Sequence, residues 1–409
     1  MAIKIDFTGM SFARDLHVGL FAWILINVIH LPICAAAERG EDKKPNILFV
    51  ITDQQTIGAL SCAGNQYLKT PNLDRLAARG TRFEKSYCTY PLCSPSRASL
   101  FSSRTPHELG IYNNNDAELT QKGLQGQTLG ELFQAAGYEA AYAGKWHVQA
   151  PYPGIGKGGN RIIPGFSVLP VNAENPARVD KDKQGKGLSV DPSVADAAIK
   201  FLHQPHAKPF LLVASILNPH DICEFPDCAA LQNLLPSDRA KLPPARPNVH
   251  DKETLPSVLQ NNWSNRDWTE TQWREYLWVY HRLAEIADAQ VGRILEAMDQ
   301  AGLAANTVVV FTSDHGEMMG SHQMVTKQKL YEEAAAVPII VAPLAGQAAV
   351  NSRHLVSGLD IMPTLLDYAG IAAPAAARGR SLRPLVEGRE IPWRDFVVSE
   401  TNYFCEARM

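Results

Sequence analysis

The sequence predicts an α/β protein with a largely parallel central sheet flanked by helices. Short apolar segments rich in β-branched residues alternate with segments of helical periodicity between residues 46 and 368. Such alternation is typical of a parallel sheet covered by helices on both faces. The 409-residue chain is also long enough to bury a large core without the support of disulfide bonds.

Composition and periodicity place the predicted elements along the chain. Apolar runs predict strands at residues 46–52, 138–143, 210–217, 307–312 and 337–341. Apolar residues at helical spacing predict helices at residues 128–136, 191–203, 273–298 and 359–368. Thr269 and Gln272 have the spacing of a capping box at the start of the longest helix, and Gly302 is expected to end it.

Residues 1–37 have the pattern of a secretory signal peptide. Lys4 and Arg14 precede an apolar run from Val18 to Ile33, and residues 35–37 are alanines that suit a signal-peptidase cleavage site. The run is short for a stable membrane span, although an uncleaved anchor is an alternative interpretation. We therefore expect a secreted or periplasmic protein.

The charge balance argues against a nucleic-acid-binding protein. The chain has 39 Lys+Arg and 42 Asp+Glu residues, a formal net charge of −3, whereas nucleic-acid-binding domains usually carry a basic patch and a high pI. Two stretches with little periodicity, 151–192 and 219–265, are candidate substrate-recognition loops. Cys223 and Cys228 are close enough in the second stretch to form a disulfide, although spacing alone leaves their pairing open.

Polar side chains follow four of the predicted strands at the points where the strands end. These residues are Asp53 and Gln54, Lys145 and His147, His220, and Asp314 and His315. The carboxyl ends of parallel strands meet at one edge of the sheet, where ligands bind. Two carboxylates with neutral donors predict a divalent-cation site that favours Ca²⁺ or Mg²⁺ over Zn²⁺, and the neighbouring cationic groups could hold an anion and transfer protons. Each residue alone also has a structural interpretation, such as a helix cap for Asp53.

Several sequence blocks together carry a family resemblance. Cys93-Ser94-Pro95-Ser96-Arg97 is a Cys-x-Pro-x-Arg pentapeptide, and Gly137 to His147 forms a second motif. Further blocks follow the family's order at Pro45 to Asp53, Thr70 to Leu76, Asn218 to Asp221, Ser313 to Glu317 and Lys327 to Pro338. From about Pro45 onward the chain resembles the sulfatase family. The resemblance implies the alkaline-phosphatase-like fold with a catalytic α/β domain, here bounded at residues 38–385.

The resemblance also implies a modified nucleophile. In sulfatases the motif cysteine is oxidised after translation to formylglycine, so Cys93 is expected to be converted by a formylglycine-generating enzyme. One hydroxyl of the hydrated aldehyde attacks the sulfur of the sulfate ester, and the second then loses its proton so that sulfate leaves and the aldehyde forms again. A serine hydroxyl could attack the sulfur but could not expel the sulfate in this way.

The roles of individual residues follow from the matching positions. The resemblance implies that the metal ligands are Asp53, Gln54, Asp314, His315 and the side chain at position 93. Arg97 would hold the formylglycine hydrate, Lys145 and Lys327 would hold sulfate oxygens, His147 would orient or deprotonate the formylglycine hydroxyl, and His220 would donate a proton to the leaving oxygen. The expected metal is Ca²⁺, with Mn²⁺ or Mg²⁺ as alternatives.

Two departures from the family pattern leave alternative functions open. Many sulfatases have two adjacent Asp residues where this chain has Asp53-Gln54, and Asp-Asn where it has Asp314-His315. A cage with less negative charge should bind Ca²⁺ less tightly, and an imidazole admits Mn²⁺. These pairs also resemble phosphonate monoester hydrolases, which cleave phosphonates and phosphodiesters with the same formylglycine. An inactive protein that binds sulfated glycans is a further alternative, although it would not need a maturation motif.

Two further predictions concern the C-terminal segment and the class of substrate. Residues 386–409 are expected to begin a small C-terminal sheet subdomain, with a strand from Phe396, and this subdomain looks truncated beside the family. An export signal and long polar loops favour a sulfated polysaccharide or oligosaccharide as substrate.

Overall fold

A computed structural model describes residues 44–114, 128–148, 163–171, 186–260 and 264–401. The predicted signal peptide, residues 1–37, lies outside the described residues, as do residues 402–409 of the predicted C-terminal subdomain. Within the described ranges, no helix is both long and apolar enough to cross a membrane.

The central sheet has eight strands, and most of them run parallel. The strands of the described chain are β1 (Asn46–Asp53), β2 (Thr81–Phe83), β3 (Ser86–Tyr87), β4 (Glu139–Gly144), β5 (Ser167–Val168), β6 (Phe210–Pro219), β7 (Thr307–Ser313), β8 (Ile339–Ala342), β9 (Ala349–Asn351) and β10 (Val356–Ser357). The sheet order is β5-β4-β6-β1-β7-β8-β2-β9, and β3 pairs with β10 in a separate parallel ribbon. Only the pairs that β8 forms with β7 and β2 are antiparallel among the described strands. The predicted largely parallel sheet is therefore confirmed.

The helices connect these strands and cover the sheet. They are α1 (Pro71–Ala77), α2 (Cys93–Ser102), α3 (Pro106–Leu109), α4 (Leu129–Ala135), α5 (Lys186–Leu202), α6 (Ala229–Gln232), α7 (Ser257–Gln260), α8 (Glu270–Gln300), α9 (Glu332–Ala335), α10 (Ile361–Tyr368) and α11 (Arg383–Val386). Short 3-10 turns lie at Ser61–Ala63, His220–Glu224, Arg239–Lys241, Lys252–Thr254, Ala304–Asn306, Ser321–Gln323 and Gly358–Asp360.

Strand β1 shows why the sheet is buried on both faces. Its residues Ile47, Phe49 and Ile51 pack into one apolar cluster, with side chains from α2, α4 and α10. Its residues Leu48 and Val50 pack into a second cluster, with side chains from α1, α5 and α8. Successive side chains of a strand point to opposite faces, so the continuous apolar run of β1 supplies both layers of the core.

The capping box of the long helix is confirmed, but the predicted start of α5 at Asp191 is wrong. The Thr269 side chain accepts a hydrogen bond from Gln272 N, and Gln272 Oε1 accepts one from Thr269 N. Helix α5 already includes Lys186, five residues before Asp191. The Asp191 carboxylate instead lies buried inside the helix and accepts from the backbone N–H groups at the end of β6, Leu217 N at 2.6 Å and Asn218 N at 2.9 Å.

The predicted C-terminal sheet subdomain stays a prediction. Between Val386 and Thr401 the described chain forms no strand of two or more residues. This segment is held to the main domain by Glu400 N, which donates to Thr89 O at 2.8 Å, and by Trp393 Nε1, which donates to Leu355 O at 2.8 Å.

The buried pair between Asp360 and Arg394 provides a test of how the C-terminal segment is attached. Arg394 donates to both oxygens of Asp360, at 2.6 and 2.9 Å, and Asp360 is fully buried. We expect Asp360→Ala to lower the free energy of unfolding by about 3–5 kcal/mol, because the substitution leaves the guanidinium without its partner. Urea unfolding followed by circular dichroism would measure this loss.

The matched control is Glu390→Ala, which breaks an exposed ion pair with Arg353. The Arg353 side chain is 75% exposed and the Glu390 side chain 86% exposed. Its cost should stay below about 1 kcal/mol. Equal losses in the two variants would contradict an anchoring role for Asp360.

Candidate active site

The carboxyl ends of four adjacent strands meet at one site. Lys145 follows β4, His220 follows β6, Asp53 is the last residue of β1, and Asp314 directly follows β7. These strands are neighbours in the order β4-β6-β1-β7. The parallel arrangement therefore brings together side chains that are separated by up to 261 residues along the chain, as the sequence predicted.

Helix α2 adds Cys93 and Arg97 to the same site. Cys93 is the first residue of the helix and Arg97 follows one turn later, so both side chains lie on one face. Ser96 Oγ donates to Asp314 O at 2.5 Å and ties the start of the helix to the end of β7. The spacing of the pentapeptide is therefore the spacing of one helical turn.

The Cys93 thiol lies buried beside two lysines and a histidine. Its Sγ atom is 3.3 Å from His315 Nε2, 3.4 Å from Lys327 Nζ and 3.6 Å from Lys145 Nζ. Burial alone would raise the pKa of Cys93, but Lys145, Lys327 and His315 lower this pKa well below the ordinary value of a thiol. Position 93 is thus surrounded by groups that stabilise negative charge.

Arg97 bridges the two carboxylates of the site. Its Nε donates to Asp314 Oδ2 at 2.7 Å and its Nη2 donates to Asp53 Oδ2 at 3.1 Å. Its Nη1 donates to Lys145 O at 2.8 Å and to Ser215 Oγ at 2.9 Å. The guanidinium is fully buried, and these bonds connect all four strands of the site, at or near their ends for β1, β4 and β7 and within the strand for β6. The predicted contact of Arg97 with a hydrate at position 93 stays a prediction.

Asp53, Cys93, Asp314 and His315 form a cluster that could hold a metal ion. Each side chain offers one ligand atom, and these four atoms lie within 4.8 Å of one another. His315 Nδ1 lies 2.9 Å from Gly316 O, and since a carbonyl only accepts, Nδ1 carries the proton and Nε2 faces the cluster. Two carboxylate oxygens, an imidazole nitrogen and the side chain at position 93 fit a divalent cation.

The charge and the orientation of Asp53 suit such a cluster. Burial and Cys93 would raise the pKa of Asp53, but Lys145, His220 and Arg97 hold it well below its usual value, so this carboxylate is ionised. Lys145 Nζ also forms an ion pair with Asp53 Oδ2. The other oxygen, Oδ1, lies 3.8 Å from His315 Nε2 and is directed towards the cluster.

Gln54 lies beside this cluster in a strained backbone conformation. Its φ angle of 70° is in the left-handed region, which non-glycine residues adopt at a cost. Gln54 N donates to Asp314 Oδ1 at 3.1 Å. Its side-chain Oε1 accepts from Lys327 Nζ at 2.6 Å, and its Nε2 donates to Glu317 Oε2 at 2.5 Å. The structure brings Gln54 to the site, and its role as a metal ligand stays a prediction.

Lys327 reaches the site from a strained loop. Its neighbours Thr326 and Gln328 have φ angles of 69° and 74°. Burial would lower the pKa of Lys327, but Cys93, Cys223 and the two acidic residues of the cluster raise it, so the ammonium stays charged. The strain in the flanking residues is consistent with a functional position.

His147 and His220 complete the set of predicted residues. His147 has a φ of 53°, and its carbonyl oxygen accepts from Ser94 Oγ at 2.5 Å. Both imidazoles interact with the Cys93 side chain. Burial and Lys145 lower the pKa of His147, while burial and Lys327 lower the pKa of His220 to about 4. Both rings are therefore neutral at pH 7 and able to donate an N–H or to accept a proton.

The sequence interpretation did not assign roles to several residues that hold this site. Glu317 ends the Ser313 to Glu317 block, and Tyr276 and Tyr280 lie within the apolar pattern that predicts the helix at residues 273–298. In the structure Tyr276 OH donates to Glu317 Oε1 at 2.7 Å, and Tyr280 OH donates to Gln54 O at 2.8 Å. Their spacing of four residues on an otherwise apolar helical face was the available signal.

Cys223 and Cys228, whose pairing the sequence left open, are both free in the structure. Cys228 is buried, whereas the exposed Cys223 lies beside the site with its Sγ 3.4 Å from Gln54 Oε1.

Comparison with known proteins identifies the family. The family model described as Sulfatase matches residues 45–371. The chain is 32% identical over 388 residues to a delta 4,5-hexuronate-2-O-sulfatase of Bacteroides thetaiotaomicron, covering 90% of this chain and 77% of that protein. It is 31% identical over 364 residues to an ulvan-active sulfatase of Formosa agariphila, covering 86% of this chain and 66% of that protein.

The fold agrees with this assignment. A solved structure of a 2-O GAG sulfatase aligns with a TM-score of 0.73 and 29% sequence identity, over 88% of this chain and 78% of that one. The chain has the alkaline-phosphatase-like α/β fold and belongs to the sulfatase family. It is a sulfuric ester hydrolase.

The charge around Cys93 can be tested before any modification of the residue. We expect Lys327→Met to raise the pKa of the Cys93 thiol, because it removes an ammonium group 3.4 Å from Sγ. The measurement is the pH dependence of thiolate ultraviolet absorbance in metal-free, unmodified protein, with the Cys93→Ser variant subtracted to remove the other thiols.

Lys69→Met is the control, since Lys69 is exposed and its loss should leave the titration unchanged. A Cys93 titration that is the same in the Lys327→Met variant and in the wild type would show that Lys327 does not stabilise charge at position 93.

Proposed function

We propose that the protein is an exported sulfatase that removes sulfate from a polysaccharide or oligosaccharide, using a formylglycine formed from Cys93 and a divalent metal ion. The observation that carries this proposal is the position of Cys93 Sγ, within 3.6 Å of His315, Lys327 and Lys145 and beside the acidic pair Asp53 and Asp314. A nucleophile in this position would have the metal on one side and anion-binding groups on the other.

The proposed metal ligands are Asp53, Gln54, Asp314, His315 and the side chain at position 93. The ion would supply charge that favours the ionised form of the nucleophilic hydroxyl. Ca²⁺ is the proposed ion because oxygen atoms predominate among the ligands, and the His315 nitrogen keeps Mn²⁺ and Mg²⁺ as alternatives.

Lys145 and Lys327 are the proposed sulfate-binding residues. Both ammonium groups lie within 3.6 Å of Cys93 Sγ, so oxygens on a sulfur atom attacked from position 93 would come within their reach. Preorganised cations at the place where charge develops stabilise a transition state. Arg97 would hold Asp53 and Asp314 in place and stabilise the hydrate.

The two histidines are proposed to move protons. His147 would orient or deprotonate the hydroxyl at position 93, and His220 would donate to the leaving oxygen. Their lowered pKa values make both rings neutral at pH 7, and a neutral imidazole presents one donor and one acceptor. The negative charge of a bound sulfate ester would raise the pKa of His220 and favour the proton donor.

The proposed substrate class follows from the relatives. A relative named for hexuronate 2-O-sulfate and one named for ulvan both act on sulfated carbohydrate. An exported hydrolase would meet such polymers outside the cytoplasm. Residues 1–37 are the proposed signal peptide, residues 38–385 the catalytic domain, and a formylglycine-generating enzyme the maturation partner.

The nucleophile is tested by substitution and by mass. In protein coexpressed with a formylglycine-generating enzyme, the tryptic peptide containing Cys93 should lose the mass difference between cysteine and formylglycine. Cys93→Ser should abolish turnover of an aryl sulfate, because serine has no second hydroxyl with which to expel the sulfate. The matched control is Ser352→Ala, at an exposed position directly after β9, which should retain activity.

The same assay distinguishes the alternative functions. A sulfatase should cleave aryl sulfate faster than a phosphonate monoester or a phosphodiester. The reverse order would favour the phosphonate hydrolase that the Asp53-Gln54 and Asp314-His315 pairs resemble. Binding of a sulfated oligosaccharide without turnover in fully modified protein would favour the inactive glycan binder.

Removal of the metal should remove activity. We expect EDTA to abolish aryl sulfate turnover, and excess Ca²⁺, Mn²⁺ or Mg²⁺ to restore it to extents that identify the preferred ion. Asp314→Asn should need at least about tenfold more Ca²⁺ for half-maximal recovery, since it removes a charged ligand. Asp299→Asn, at an exposed position of α8, should recover like the wild type. Full activity in EDTA would contradict the proposed metal.

A further inference from the structure

A buried carboxylate outside the predicted site is bonded directly to one of its members. Glu317 is fully buried, and its Oε2 accepts from Gln54 Nε2 at 2.5 Å. On the other side of the same amide, Gln54 Oε1 accepts from Lys327 Nζ at 2.6 Å. Lys327 Nζ in turn lies 3.4 Å from Cys93 Sγ. The amide of Gln54 therefore lies between a carboxylate and an ammonium group that faces the nucleophile.

These two neighbours define the orientation of the Gln54 amide. A carboxylate accepts hydrogen bonds and an ammonium group only donates them. With the amide rotated by half a turn, its NH₂ group would face Lys327 Nζ and its oxygen would face Glu317. Both contacts would then be repulsive in a buried site, where an unmade hydrogen bond to a charged group is costly.

Glu317 is itself held in one orientation by three donors. Its Oε1 accepts from Tyr276 OH at 2.7 Å, from Thr326 N at 2.5 Å and from Met319 N at 3.3 Å. Burial and Glu317 raise the pKa of Tyr276 well above its usual value, so the hydroxyl remains a donor. Oε1 is thereby committed to these donors, and Oε2 is the oxygen that Gln54 contacts.

The backbone of Gln54 is fixed by a second tyrosine of the same helix. Tyr280 OH donates to Gln54 O and accepts from Thr56 N, each at 2.8 Å. These bonds support the left-handed conformation of Gln54, whose φ is 70°. With the backbone held by Tyr280, the remaining freedom of the residue is the orientation of its side-chain amide.

We infer that Glu317 is a positioning residue that fixes the orientation of the Gln54 amide. In this orientation Gln54 Oε1 faces Lys327 and Cys93, where this oxygen can coordinate the metal ion and hold the sulfate-binding Lys327 in place. This inference deepens the proposed function and rests on it, since it assigns a role at the same metal centre. The hydrogen bonds from Tyr276 to Glu317 and from Gln54 to Glu317 hold the amide in this orientation.

The inference predicts an unusual exchange of residues. In Glu317→Gln, the three donors around Oε1 require an oxygen there, so the new NH₂ group must face Gln54. The Gln54 amide would then rotate and present its own NH₂ group to Lys327 and the metal centre. In Gln54→Glu alone, two carboxylates would face each other. In the double variant, the carboxylate at position 54 accepts from the amide at position 317 and still offers an oxygen to Lys327.

The experiment is a double-mutant cycle with Ca²⁺ alone as the probe. Calorimetric titration with CaCl₂ compares four full-length proteins: the parent with the natural residues at positions 54 and 317, Glu317→Gln, Gln54→Glu and the double variant. All four also carry Cys93→Ser, so that each has the same oxygen at position 93. Glu317→Gln should lose about 10–100-fold in Ca²⁺ affinity, as expected for a residue that orients a metal ligand. Gln54→Glu should also lose affinity, because the repulsion between the carboxylates at positions 54 and 317 displaces the side chain at position 54 and outweighs the added negative charge. The double variant should regain most of that loss, which a general loss of stability would not do.

Tyr138→Phe is the matched control. It removes a tyrosine hydroxyl bonded at 3.1 Å to Pro45 O, at the opposite end of β1 from the site, and should leave Ca²⁺ affinity unchanged. Wild-type affinity in Glu317→Gln, or losses that add in the double variant, would overturn the inference while leaving the proposed function intact. Failure of the fully modified wild type to hydrolyse aryl sulfate or to bind Ca²⁺, Mn²⁺ or Mg²⁺ would overturn both.

Discussion

One buried guanidinium holds the site together. Arg97 donates to Asp314 and Asp53, to Lys145 O directly after β4 and to Ser215 Oγ within β6. Two buried carboxylates side by side would repel each other, and a cation between them offsets that cost when it is well hydrogen-bonded. Arg97 makes four such hydrogen bonds. It lies one helical turn after Cys93, so the turn that positions the nucleophile also positions its neutralising charge.

The site contains both positively and negatively charged side chains, and charges of opposite sign lie next to each other. Lys145 Nζ and Lys327 Nζ both lie within 3.6 Å of Cys93 Sγ, and the carboxylates of Asp53 and Asp314 lie in the same cluster. This arrangement suits a reaction in which an anion approaches a nucleophile that must itself lose a proton. Cations directed at the nucleophile favour its ionised form, and the same cations bind the incoming sulfate, so one set of lysines performs both tasks.

The strand ends could be predicted from the sequence, whereas the connections between side chains could not. Asp53, Lys145, His220 and Asp314 each follow an apolar run, and the rule for parallel sheets brings such positions together without knowledge of the strand order. The roles of Asp191 and of Tyr276 depend on which element packs against them. A buried aspartate near the start of a helical pattern looks like a cap, and a tyrosine in an apolar stripe looks like core, because sequence periodicity reports burial and not the partner of a buried polar atom.

Glu317 offers a physical account of the departure at position 54. Many sulfatases have a carboxylate there, and in this chain a carboxylate at position 54 would face Glu317 at hydrogen-bonding distance. A neutral amide removes that repulsion and still presents an oxygen towards Lys327. The negative charge that many sulfatases have at position 54 is thus found at position 317, farther from the metal centre. Glu317 in turn sets the orientation of the Gln54 amide, and with it the position of the oxygen near Lys327. On this account, Gln54 and Glu317 form one unit, and either residue in isolation would be a poor choice for a buried site beside a cation.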